Sequence, residues 1–104
     1  MTISAVELKE LLETEKSIQL IDVREQFEWD ICHIKGAQLM SMNSIPNRKE
    51  EIDKNQKTVL YCHHGVRSQR VIDYLQRQGF DNLLNLQGGI HAWAMQVDPN
   101  MEKY

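Results

Sequence analysis

In the stretch "YCHHGVRSQR", residues 61–70, a thiol stands beside two imidazoles, a glycine and two guanidinium groups. The thiolate rather than the thiol is the nucleophile, and a free cysteine, with a pKa near ~8.5, is mostly protonated at neutral pH. Its neighbours can lower that value. An apolar "TVL" precedes the stretch and a helical pattern follows it, so Cys62 falls where a strand hands over to a helix. The first turn of that helix offers unpaired N–H groups and the positive end of its dipole, and Arg67 adds a fixed positive charge. Gly65 admits backbone angles closed to other residues, which lets several N–H groups converge on one point. The expected result is an anion cradle with a thiolate at its floor.

A cysteine in an apolar strand is more often an inert core residue. Here a glycine and an arginine within five positions, with a helix following, favour the nucleophile. His63 and His64 either line the path of an anionic reactant or are polar fillers of a surface loop. Cys32-His33 and Cys62-His63-His64 lack C-x-x-C or H-x-x-x-H spacing, so no metal site is expected. The two cysteines do not form a disulfide framework either, which points to free thiols in a reducing compartment.

These residues need a frame, and 104 residues at 41% hydrophobic content suit a single domain, residues 1–104, with one modest core. A net charge of -3 gives no general attraction to nucleic acid or anionic membrane. No apolar run approaches the roughly 18 residues of a membrane span, and "MTISAVELKE" lacks the layout of a secretory signal, so a cytoplasmic protein is expected. Ser4 and Glu7 have capping-box spacing, and Ala5, Leu8, Leu11 and Leu12 recur at helical intervals. "SIQLIDV" (17–23), "TVLYC" (58–62) and "NLLNL" (82–86) read as short buried strands. Val71, Ile72 and Leu75 mark the inward face of a helix from Val66 to Gln78, stopped by Gly79. Ile90, Trp93, Ala94 and Val97 share one face of another. "FEWDI" is expected as a short helix, "AQLM" as a short strand, and "SIPNRKEEID" as a polar helix or loop. Such alternation argues for a mainly parallel sheet with helices on both faces, whose ligand crevice lies beyond the carboxyl ends of the strands. Cys62 stands at such an end.

The chain resembles a single-domain rhodanese along nearly its whole length. "LIDVREQFEWDICHIKGA" is similar to that family's Asp-Val-Arg-Glu and His-Ile-x-Gly-Ala signature, "YCHHGVRS" to its active-site loop, and "LQGGIHAWA" to its closing Gly-Gly-x-x-Ala-Trp motif. The resemblance implies a small α/β domain around a parallel five-stranded sheet. It implies Cys62 as the sulfur-carrying nucleophile, with His63, His64, Gly65, Val66 and Arg67 as the substrate-binding loop around a persulfide. Asp22, Arg24, Glu28 and Trp93 fall on signature positions with a structural role, the three charged residues holding strand ends and loops by ion pairs. Two departures are Cys32, where the family usually has glycine, and Lys35, where it usually has proline.

The implied reaction is ping-pong transfer of sulfane sulfur without a cofactor. The donor is thiosulfate or a persulfide; the acceptor is cyanide in the test tube and a thiol, thioredoxin-like or sulfur-carrier protein in the cell. The alternatives are a non-catalytic interaction module and a redox or persulfide sensor. Phosphatase chemistry on the same fold is disfavoured, because the four residues between Cys62 and Arg67 make a ring smaller than a phosphoryl group needs.

Overall fold

Five short strands form one fully parallel sheet in a computed structural model that describes residues 1–104. In chain order the elements are β1 (Thr2–Ile3), α1 (Ala5–Thr14), β2 (Gln19–Asp22), α2 (Gln26–Ile31), β3 (Gln38–Leu39), α3 (Ile45–Arg48), β4 (Thr58–Tyr61), α4 (Val66–Arg77), β5 (Leu83–Leu86) and α5 (Gly89–Gln96). The strands lie in the order β1-β5-β4-β2-β3. β4 is central, with Leu60 in register with Ile21 on one side and with Asn85 on the other.

Strand alternation divides the core into two layers. Ile21, Leu60 and Cys62 face one way and pack with Val71, Ile72 and Leu75 of α4 and with Ile45 of α3. Leu20, Val59 and Tyr61 face the other way, against Ala5 and Leu8 of α1 and Ile90 and Trp93 of α5. Helices therefore cover both faces, and β4, buried along its whole length, runs apolar after Thr58 rather than alternating. Fully burying each Val, Ile or Leu of the α4 stripe contributes about 1.5–3 kcal/mol, which makes that helix a firm wall behind the Cys62 loop.

The local signals at the helix ends are met. Ser4 and Glu7 form a reciprocal capping box, with bonds of 2.9 and 3.1 Å. β1 had no counterpart in the sequence reading: two residues carry no periodicity, and Thr2–Ile3 is a strand because it pairs with Asn85 and Leu86 of β5. Residues 42–51 resolve into α3 between two turns of 3₁₀ helix, with Ile45 and Ile52 supplying the buried anchors.

Candidate active site

β2, β4 and β5 end on the same edge of the sheet, at Asp22, Tyr61 and Leu86. Cys62 is the next residue after β4. Its side chain is inward and 2% exposed. The chain then turns through Gly65 at φ 117, a left-handed angle suited to glycine, and enters α4. That turn aims the Gly65 N–H at Cys62 Sγ, 3.0 Å away.

Burial raises the thiol's pKa, but hydrogen bonds from the Ser68 hydroxyl and from the N–H groups of Ser68, Gly65 and Arg67 outweigh it, so the net shift is downward. The hydroxyl's share depends on protonation state. Ser68 Oγ lies 2.6 Å from Asn85 Oδ1, 3.2 Å from the Gly65 carbonyl and 3.4 Å from Cys62 Sγ. One proton cannot serve three acceptors, and the shortest contact holds it. With the thiol protonated, Ser68 donates to Asn85; it stabilises the thiolate only to the extent that its proton turns to sulfur. Ser68→Ala is therefore expected to raise the Cys62 pKa and move the alkaline rise in thiol reactivity to higher pH, measured by alkylation rate against pH. An unchanged profile would assign the shift to the backbone alone.

The loop's shape is held from outside by bonds to its backbone. Asn85 Nδ2 donates to the Gly65 carbonyl at 3.0 Å. The first turn of α5 donates from Ile90 to the Cys62 carbonyl at 2.9 Å and from His91 to the His63 carbonyl at 3.1 Å. Gly89 permits that approach: a Cβ there would overlap the His63 carbonyl and lie 2.6 Å from the Cys62 carbonyl oxygen.

Arg67 pairs across the fold. Its guanidinium does not stand free to meet an anion; it grips Glu28 of α2 through Nη1 and Nη2 at 2.7 and 2.9 Å. The Arg67 N–H helps to lower the Cys62 pKa. Arg67 holds the Glu28 carboxyl at about 2, against burial, with help from the Glu25 N–H and the Tyr104 hydroxyl. Because the folded pKa is depressed, this pair's stabilisation is present above pH ~4.5 and is lost as pH falls through about 2. Glu28→Gln is expected to flatten the acid limb of the stability curve by roughly 2–3 kcal/mol, read from denaturant midpoints between pH ~2 and ~6.

Asp22 and Arg24 form the other ion pair, with both side chains fully buried and 2.7 Å between Nη2 and Oδ2. Arg24 also donates to the Cys32 carbonyl at 2.6 Å and to the Tyr104 hydroxyl at 2.7 Å. Tyr104 in turn donates to Glu28 at 2.8 Å. One network thus runs from the end of β2 to the start of α4. Trp93 is buried on α5, in the core layer that faces α1. Cys32 is half-buried, and burial pushes its thiol up, away from reactivity.

Among the loop side chains, Val66 and His64 are exposed and His63 is partly covered. The His63 ring stacks on Tyr104 at 4.0 Å and 7°. Burial lowers its pKa, and the neighbouring His64 adds to the effect.

Four residues of the site, Ser68, Asn85, His91 and Tyr104, have no role legible in the loop motif alone. Ser68 lay inside the quoted loop motif. Asn85 carried a signal in itself, a polar residue within the apolar "NLLNL". His91 and Tyr104 carried none, because only the fold brings them to the loop.

Residues 4–96 match the family described as rhodanese-like domain. The chain is 41% identical to the probable adenylyltransferase/sulfurtransferase MoeZ of Mycobacterium tuberculosis, over 99% of this chain and 27% of that protein, so it spans about a quarter of that relative. It is 39% identical to the putative sulfurtransferase YtwF of Bacillus subtilis, covering 93% of each chain. To the thiosulfate sulfurtransferase GlpE of Coxiella burnetii it is 36% identical, over 88% of this chain and 84% of that protein. A crystal structure of a rhodanese-like domain protein from Staphylococcus aureus superimposes with a TM-score of 0.83 at 38% identity, covering 89% and 91% of the two chains.

Proposed function

Since the chain belongs to the rhodanese-like domain family, whose relatives here bear sulfurtransferase names, we propose that it carries sulfane sulfur on Cys62 and passes it from thiosulfate or a persulfide donor to a thiophilic acceptor. The observation that carries the reading is the thiol itself, 2% exposed on the floor of the strand-to-helix loop with the Gly65 N–H aimed at its sulfur at 3.0 Å. The Cys62 thiolate attacks the outer sulfur of thiosulfate. A new S–S bond forms, the old one breaks, and sulfite leaves with the bonding pair. The terminal sulfur of the persulfide then sits among the N–H groups of Gly65, Arg67 and Ser68, donors placed for an anion. An acceptor nucleophile attacks that sulfur, and the thiolate returns as leaving group.

His63, His64 and Val66 form the rim that donor and acceptor meet, while Arg67 acts through its N–H and through its hold on Glu28. The acceptor in the cell is a thiol, a thioredoxin-like protein or a sulfur-carrier protein, and a reducing compartment such as the cytoplasm keeps the thiol ready. No helix is long and apolar enough to cross a membrane.

The test is direct. Incubation with thiosulfate is expected to add one sulfur to the peptide containing Cys62, seen by mass spectrometry, and cyanide is expected to remove it as thiocyanate. A chain that gained no sulfur from thiosulfate or a low-molecular-weight persulfide would return the domain to the class of interaction modules.

A further inference from the structure

We propose that His63, His64 and His91 form a binding site for one divalent transition-metal ion of the zinc class at the rim of the Cys62 loop. One nitrogen from each ring lies within 4.8 Å of the others. A tetrahedral ion with bonds of ~2.0–2.1 Å needs its nitrogens ~3.3 Å apart, so the cluster must tighten but need not rearrange. His64 and His91 are exposed and free to rotate inward. His63 is the fixed member, stacked on Tyr104 at 4.0 Å.

The backbone keeps the three together. The His91 N–H donates to the His63 carbonyl at 3.1 Å, so two ligands from distant parts of the chain are joined by a hydrogen bond at their bases. Adjacent residues alone chelate poorly. Here His91, on the facing α5, adds a third imidazole, and its ring stands 5.1 Å from that of His64 and 6.2 Å from that of His63.

Imidazole donors choose the ion. Zinc, copper and nickel suit such nitrogen ligands, whereas magnesium and calcium require oxygens, and no carboxylate belongs to the cluster. Three protein ligands leave a fourth position for water or an incoming ligand, the open form of coordination rather than the closed structural one. The start of α5 disfavours a cation only slightly beside the gain from three coordination bonds. The site stands on its imidazoles and does not depend on sulfur transfer.

The experiment uses the chain with Cys32→Ser and Cys62→Ser, so that no thiolate can act as ligand, titrated with Co²⁺ at neutral pH. One Co²⁺ per chain is expected, with the visible bands of a four-coordinate ion, displaced by Zn²⁺. His64→Ala and His91→Ala on that background should each weaken binding tenfold or more with unchanged circular dichroism. In parallel, Zn²⁺ added to the wild-type chain should shift the ring signals of His63, His64 and His91 together in NMR spectra. His33, stacked on Trp29 at 3.8 Å, serves as the internal control and should not move. Binding unaffected by either histidine substitution, or ring signals of the three that do not respond, would overturn the proposal.

Discussion

Cys62→Ser is expected to lower thiosulfate-to-cyanide transfer by roughly a thousandfold or more, to the level of the uncatalysed reaction, because a hydroxyl keeps the cradle's hydrogen bonds but cannot hold sulfur as a leaving group. The fold should survive. Serine is smaller than cysteine, and the Gly65 N–H that meets Sγ at 3.0 Å can donate equally well to an oxygen. The check is steady-state kinetics beside a thermal melt. Transfer at an undiminished rate would move the sulfur elsewhere, and Cys32, the other thiol, would be the first place to look. The raised pKa of Cys32 argues that it cannot substitute.

Arg24→Ala is expected to be the most destabilising of the charge substitutions, by about 3–5 kcal/mol, because it leaves the fully buried Asp22 carboxylate without its countercharge. The loss spreads beyond that pair. Arg24 also satisfies the Cys32 carbonyl and anchors the Tyr104 hydroxyl, which in turn supports Glu28. Urea denaturation measures the effect. Asp22→Leu with Arg24→Met should recover part of the loss, since an apolar pair leaves no charge to desolvate. A single variant within ~0.5 kcal/mol of wild type would mean that solvent reaches Asp22 after all.

Local features were legible in the sequence where neighbours along the chain determine them. Ser4 and Glu7 announced α1, the apolar runs announced β2, β4 and β5, and Gly65 with Cys62 announced the loop. Features decided across the fold were not. Arg67 looked like a free cation because its partner Glu28 lies 39 residues away, and Tyr104 meets Glu28 across 76. β1 exists through pairing with β5 rather than through its own two residues. His91 reads as an ordinary helix residue until α5 folds back onto the loop.

Three bonds that hold the Cys62 loop from outside end on its carbonyls, at Cys62, His63 and Gly65, and come from Ile90, His91 and Asn85. None of them uses a loop side chain. The exposed side chains of His64 and Val66 are thus separable from that scaffold, and mutation there can redraw the surface that partners meet while the loop's backbone keeps its shape. Proteins sharing this backbone can thus differ at the rim without changing the cradle around the thiol.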